Sequence, residues 1–163
     1  MTPAENRIVL MTISPEETIR VGQNLARGLE PGDVIALSGE LGSGKTCLTQ
    51  GIARGLGVPE KYAVTSPTFT LINEYPGEKT TLFHMDAYRL GGCGDLFDMG
   101  YDEYLLASGV MVIEWAERIR PAIPDDALFI DITYIEEQTR NMEISGAPKK
   151  IGVLKQILSR GDF

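Results

Sequence analysis

The chain has 163 residues, a net charge of −8 and 43% hydrophobic residues. This length suits a single domain over residues 1–163, since domains most often have about 100–150 residues, and the composition excludes an intrinsically disordered chain. The acidic balance argues against direct, stand-alone binding of a nucleic-acid backbone. Because the sequence has no leader-like N-terminus and no apolar run of about 20 residues, we expect a cytoplasmic protein without a membrane partner.

The first part of the chain alternates strand and helix patterns. Residues 8–11 form a short apolar run that predicts a strand. Residues 14–17, Ser-Pro-Glu-Glu, combine an N-cap serine, a proline and a reciprocal glutamate, which predicts the start of a helix. The turn formers at 30–33 predict its end. Residues 34–37 are continuously apolar, which is typical of a parallel strand covered on both faces.

The rest of the chain continues this alternation and adds hairpins. Leu48, Ile52 and Leu56 repeat every four residues and predict a second helix that ends at Gly57. Two β-type runs flank the turn at 76–79 and predict a hairpin, so the sheet should be mixed. The hairpin strands cover 70–75 and 80–85, further strands cover 110–113, 128–132 and 141–144, and a last helix covers 149–159. Together these elements predict an α/β domain with three layers.

A glycine-rich segment lies between the second predicted strand and the second predicted helix. Its sequence, Gly39–Thr46, matches G-x-x-x-x-G-K-[ST] at every fixed position. In such a loop the backbone amides surround a phosphate, the lysine reaches the β- and γ-phosphates, and the hydroxyl binds magnesium. The motif predicts a P-loop NTPase fold with a mixed, mainly parallel central sheet and a nucleotide–Mg²⁺ site. The alternative interpretation is a glycine-rich turn that binds no ligand.

The predicted nucleotide-binding residues follow from this motif. Lys45 is expected to contact the phosphates and Thr46 the magnesium ion. Cys47, directly after the motif, is expected to pack under the loop rather than to react. The whole predicted set from this segment is Glu40, Leu41, Gly42, Ser43, Gly44, Lys45, Thr46 and Cys47.

Two carboxylates stand where apolar strands give way to loops. Asp86 ends the run 82–85, and Glu114 ends the run 110–113. A P-loop NTPase needs an acidic group at such a position to hold the metal's water shell or to orient the attacking water. Spacing does not rank the two, and either could be a solvated charge at a strand end. His84, the only histidine, is interpreted as structural rather than catalytic.

Hydroxyl groups are concentrated just before the hairpin. Residues 65–68, Thr-Ser-Pro-Thr, resemble a loop that senses a γ-phosphate. Taken alone, the same residue types are more typical of an ordinary turn. The spacing of Tyr88 and Trp115 does not decide whether they are core, surface or site residues.

In their joint order these segments resemble the TsaE family, formerly called YjeE, over almost the whole chain. The family comprises small bacterial ATPases of the tRNA threonylcarbamoyladenosine pathway. The segments that carry the resemblance are Gly39–Thr46, Ser66–Leu71, Asn73–Tyr75, His84–Leu90 and Ile113–Trp115.

The resemblance implies roles that spacing leaves open. It places Thr46 and Glu114 around Mg²⁺, Asp86 in the catalytic site and Trp115 beside it. It also implies that Thr65, Ser66 and Thr68 form the switch-like loop and that Ile13 and Arg140 lie near the nucleotide. The implied catalytic residues are Lys45, Thr68, Asp86 and Glu114.

The implied cofactors are ATP and Mg²⁺, and the implied partners are TsaD and TsaB. Those partners transfer the threonylcarbamoyl group onto tRNA, and the family hydrolyses ATP to ADP to support repeated turnover. The chain would therefore meet tRNA indirectly, through the partners. At Gly91–Gly94, predicted to be a mobile loop, family members usually carry an acidic, helix-leaning stretch, so partner contacts made there are in question.

Other nucleotide-dependent functions fit the sequence less well. A small-molecule or nucleoside kinase could use Asp86 and Arg89 over an acceptor hydroxyl, but no arginine-bearing lid segment is evident around Arg118 and Arg120. A GTPase would need an N-K-x-D segment, which the sequence lacks. A purely regulatory ATP-binding protein would differ by releasing no phosphate in the presence of TsaB and TsaD.

Overall fold

The structure, a computed structural model, describes residues 6–67 and 71–160. The strands are β1 (Arg7–Thr12), β2 (Val34–Ser38), β3 (Ile72–Tyr75), β4 (Thr81–Asp86), β5 (Gly109–Glu114), β6 (Leu128–Glu136) and β7 (Thr139–Ser145). The helices are α1 (Pro15–Ala26), α2 (Lys45–Gly55), α3 (Gly94–Asp98), α4 (Tyr101–Leu106) and α5 (Pro148–Arg160), and a 3₁₀ segment spans Ala116–Ala122. No helix within the described ranges is long and apolar enough to cross a membrane.

In the described part of the chain all seven strands lie in one sheet, in the order β1-β7-β6-β2-β5-β4-β3. The four central strands, β6, β2, β5 and β4, pair in parallel, whereas β1–β7, β7–β6 and β4–β3 pair antiparallel. The predicted mixed α/β sheet is confirmed. The description "mainly parallel" holds for the central strands alone, because the two hairpins and β1 add antiparallel strands at both edges.

Helices cover both faces of the sheet. On one face α1, α2 and α5 bury Leu25, Ile52 and Leu154 against strand residues such as Ile35 and Ile130. On the other face α3, α4 and the 3₁₀ segment form a second buried cluster, with Leu96, Tyr101 and Ile119 against Met85 and Ile113. Removing this apolar surface from water is the main driving force for assembling the three layers.

The predicted start of α1 is confirmed in its hydrogen bonds. The Ser14 hydroxyl accepts a hydrogen bond from the Glu17 amide at 3.1 Å, and a Glu17 carboxylate oxygen accepts one from the Ile13 amide at 2.7 Å. These bonds satisfy amides that a helix N-terminus otherwise leaves without partners. Gly57, with φ of 84°, follows α2 in the left-handed conformation expected of a helix stop.

The sequence patterns miss three short elements between β4 and β6. These are α3, α4 and the 3₁₀ segment, of 5, 6 and 7 residues, which are too short to display a helical period. In the segment predicted as a mobile loop, Gly94 begins α3 and the Gly91 amide donates to an Asp95 carboxylate oxygen at 2.8 Å. The predicted hairpin of β3 and β4 is confirmed, although Thr70 of its first predicted strand lies outside the described residues. The strands predicted at 128–132 and 141–144 also pair, as the hairpin of β6 and β7.

Candidate functional site

The loop between β2 and α2 has a backbone that strongly favours glycine. Gly42 and Gly44 have φ of 81° and 108°, in the left-handed region. At Gly39, with φ of 152°, an added Cβ would meet the Ile132 carbonyl oxygen at 2.5 Å. The loop therefore packs tightly against β6, and Gly44 caps α2 without a side chain.

Main-chain amides at the start of α2 are free for a ligand. In the described part of the chain, the amides of Gly42, Gly44, Lys45 and Thr46 donate no hydrogen bond, whereas the Ser43 amide donates to the Glu40 carbonyl at 3.0 Å. A helix N-terminus with free amides and a partial positive charge favours anions such as phosphate. The local geometry fits the phosphate cradle that the motif predicts.

The Lys45 side chain folds back over this loop and is buried. Its Nζ donates to the Gly39 carbonyl at 2.5 Å and to the Glu40 carbonyl at 3.0 Å, and lies 4.1 Å from the centre of the Trp115 ring. Burial lowers the pKa of Lys45, while the carboxylates of Glu114, Glu117 and Asp86 act in the opposite direction. The ammonium group is thus held by carbonyls and an aromatic face at the mouth of the loop.

Thr46 and Glu114 meet across the gap between α2 and the sheet. The Thr46 hydroxyl donates to the two Glu114 carboxylate oxygens at 3.0 and 3.2 Å. Glu114 is buried at the end of β5 and also contacts Nε2 of the buried His84 on β4. A hydroxyl beside a carboxylate supplies hard oxygen ligands of the kind that Mg²⁺ prefers.

Asp86 lies next to Glu114, since the two residues are register partners of β4 and β5. One Asp86 carboxylate oxygen accepts a hydrogen bond from the Tyr88 amide at 2.8 Å, and the other contacts the Ser66 hydroxyl. A second contact holds the same loop, because the Gln50 side chain of α2 donates to the Val64 carbonyl at 3.0 Å. The hydroxyl-rich segment therefore joins the site through Ser66, while the predicted residue Thr68 lies outside the described residues.

These side chains line one cavity of about 500 Å³. The predicted residues that line it are Leu41, Gly42, Ser43, Gly44, Lys45, Thr46, Cys47, Ser66, Asp86, Glu114 and Trp115. Three further predicted residues, Glu40, Ile13 and Arg140, are not among the residues that line it. Glu40 contributes its carbonyl to Lys45, Ile13 is 63% exposed before α1, and Arg140 lines a smaller neighbouring cavity with Gly44 and Cys47.

The Cys47 thiol is packed rather than activated. Its Sγ donates to the Pro15 carbonyl at 3.4 Å, and burial raises its pKa, with a further contribution from Glu16. A raised thiol pKa reduces the thiolate fraction that would react. The raised pKa supports the expectation that Cys47 does not react, while its thiol contacts the start of α1.

Two residues in the site were not assigned to it from spacing. Trp115 adopts φ of 58° and ψ of 40°, a costly left-handed conformation for a non-glycine residue, and its ring lies 4.9 Å from that of Tyr88. His84, interpreted from the sequence as structural, is fully buried and contacts Glu114. The available signal was a histidine inside an apolar strand, two residues before Asp86 and therefore on the same face of the sheet.

Comparisons with known proteins show to which family the chain belongs. A family profile described as "Threonylcarbamoyl adenosine biosynthesis protein TsaE" matches residues 12–142. The chain belongs to the TsaE family. It is 42% identical to TsaE of Treponema pallidum over 81% of this chain and 96% of that protein, and 39% identical to TsaE of Bacillus subtilis over 93% of each.

The fold of a solved structure agrees as well. The crystal structure of Bacillus subtilis YdiB superposes with a TM-score of 0.76 at 35% identity, and the match covers 94% of this chain and 95% of that one. The predicted TsaE resemblance and the predicted α/β P-loop fold are therefore confirmed. The TsaE relatives are named tRNA threonylcarbamoyladenosine biosynthesis proteins.

Proposed function

We propose that this TsaE-family chain binds ATP with Mg²⁺ in the 500 Å³ cavity and hydrolyses it to support repeated turnover of a TsaD–TsaB transferase. The observation that carries the proposal is the meeting of three groups in this cavity. They are the free amides at the start of α2, the Lys45 ammonium, and the hydroxyl–carboxylate pair of Thr46 and Glu114. Family membership and the net charge of −8 support a role in which partners handle the tRNA.

Each group has a distinct task in this proposal. Bound ATP would supply the phosphoryl group, and bound Mg²⁺ would neutralise part of the negative charge on that group. The free amides and Lys45 bind phosphate oxygens, and Thr46 with Glu114 holds the metal. Asp86 orients the attacking water, while its contact with Ser66 ties it to the hydroxyl-rich loop. Tyr88 and Trp115 form the aromatic wall of the cavity.

Substitution of Thr46 tests the proposal through its metal dependence. Thr46→Ala removes the hydroxyl that faces Glu114 and leaves the amide cradle intact, whereas Thr46→Ser keeps the hydroxyl. We expect Thr46→Ala to raise the Mg²⁺ concentration for half-maximal ATP binding and phosphate release by about tenfold. Thr46→Ser should have a magnesium dependence close to that of wild type. Calorimetry and phosphate release measure both quantities. Identical magnesium titrations for wild type and Thr46→Ala would contradict the metal site.

The contact between Ser66 and Asp86 supports a nucleotide-sensitive role for residues 65–68. A loop held by a catalytic carboxylate can respond when a γ-phosphate enters beside it. We expect the peptide over residues 63–71 to exchange amide hydrogens more slowly with a non-hydrolysable ATP analogue than with ADP. Equal exchange with the two ligands would argue for an ordinary turn.

A further inference from the structure

The Arg140 side chain reaches from β7 to the glycine-rich loop. Its Nε donates to the Ser43 carbonyl at 2.9 Å, and its Nη2 donates to the Gly42 carbonyl at 3.1 Å. Arg140 lies 97 positions after Ser43 and 98 positions after Gly42 in the sequence. A single guanidinium group therefore grips two successive carbonyls of the loop that the proposed function assigns to phosphate binding.

The same guanidinium is anchored in the turn between β6 and β7. Its Nη1 donates to the carbonyls of Glu136 and Thr139, each at 3.0 Å, and to that of Glu137 at 3.3 Å. The guanidinium carbon also lies 4.7 Å from the centre of the Tyr134 ring. All three nitrogens of Arg140 thus contact main-chain carbonyls, and the planar fork of arginine makes such multiple contacts with little loss of entropy per bond.

Peptide geometry gives this grip a consequence for the amides. In a trans peptide unit the carbonyl oxygen and the following N–H point in opposite directions. Because Arg140 holds the Gly42 and Ser43 carbonyls on its own side, the amides of Ser43 and Gly44 point away from it. The Ser43 amide is used within the loop by Glu40, but the Gly44 amide remains free for a ligand.

We propose that Arg140 is a positioning residue, which holds the glycine-rich loop in its phosphate-binding shape by tying it to the β6–β7 turn. It acts on the phosphates through the loop and not through the nucleoside part of the ligand. This role rests on the proposed nucleotide function, and it adds a specific task to the position near the nucleotide that the family resemblance implies for Arg140.

Two ligands distinguish this positioning role of Arg140 from a direct contact with the nucleoside. Mg²⁺–ATP and inorganic triphosphate with Mg²⁺ share the phosphates, but only ATP carries the nucleoside. We expect Arg140→Gln to weaken both by about the same factor, tenfold or more, in calorimetry, since charge-assisted bonds to the loop are lost. Arg140→Lys keeps the positive charge but lacks the planar guanidinium group, so we expect its affinities for both ligands to stay close to those of Arg140→Gln. Arg54→Gln removes an exposed arginine from the last turn of α2 and should leave both affinities unchanged.

A structural readout without any ligand accompanies the titrations. Amide hydrogen exchange at Ser43, whose N–H donates to the Glu40 carbonyl, should be faster in Arg140→Lys than in wild type, with equal melting temperatures showing that both are folded. Unchanged exchange in this loop would overturn the inference. A loss of ATP affinity with intact triphosphate affinity would also overturn it and leave the proposed function standing. If wild type binds neither ATP nor triphosphate, the proposed function itself fails.

Discussion

Asp86→Asn and Glu114→Gln are each expected to lower partner-stimulated ATP hydrolysis by about a hundredfold or more while retaining much of the ATP affinity. Both substitutions keep the size of the side chain and its hydrogen-bonding capacity, but they remove a negative charge. Phosphoryl transfer depends on positioning and electrostatic stabilisation, so the transition state should suffer more than the ground state.

The two variants should differ in their magnesium dependence. Glu114 accepts hydrogen bonds from Thr46 at 3.0 and 3.2 Å, so Glu114→Gln should shift the magnesium titration more. Asp86 contacts Ser66 and the Tyr88 amide instead, so Asp86→Asn should show its effect even at saturating magnesium.

The controls separate catalysis from folding. Asp125→Asn changes an exposed carboxylate outside the cavity and should leave hydrolysis unchanged. Thermal unfolding identifies any variant that is simply destabilised. A folded variant with full phosphate release and full tRNA modification would clear that carboxylate of a catalytic role and leave it as a charge at a strand end.

Lys45→Ala should lower ATP affinity by about ten- to a hundredfold, because it removes the proposed charge-assisted contact to phosphate, a type of contact worth roughly 1.5–3 kcal/mol. The ammonium is already poised at the mouth of the loop by the Gly39 and Glu40 carbonyls and by the Trp115 ring. Calorimetry with and without Mg²⁺ measures the loss.

A second variant separates the charge of Lys45 from its contact with the Trp115 ring. Trp115→Phe reduces the aromatic surface under the Lys45 ammonium but leaves the charge, so its effect on ATP affinity should be much smaller than that of Lys45→Ala. Unchanged ATP affinity in a folded Lys45→Ala protein would remove Lys45 from the binding site.

Local sequence patterns were sufficient for most of the framework. The apolar runs, the cap at Ser14 and the Gly39–Thr46 motif each depend on neighbouring residues, and the structure places a strand, a helix start and a glycine-rich loop at those positions. The sequence patterns do not predict the short helices α3 and α4, because five or six residues span less than two helical turns.

The contacts within the site depend on residues far apart in the chain. Spacing could not rank Asp86 and Glu114, because their adjacency follows from the pairing of β4 with β5. The contact of His84 with Glu114 spans 30 positions, and that of Arg140 with Ser43 spans 97. No local period encodes such pairs, so only the assembled sheet reveals them.

The most direct test of the proposed function is reconstitution of tRNA threonylcarbamoyladenosine formation with purified TsaD and TsaB. Modified tRNA per TsaD–TsaB complex and phosphate release are measured with this chain, without it, and with its Glu114→Gln variant. We predict that modification exceeds one turnover per complex only with the wild-type chain and Mg²⁺–ATP, and that phosphate release rises in the same reactions. Repeated turnover that is equal without the chain, or equal with Glu114→Gln, would contradict the account.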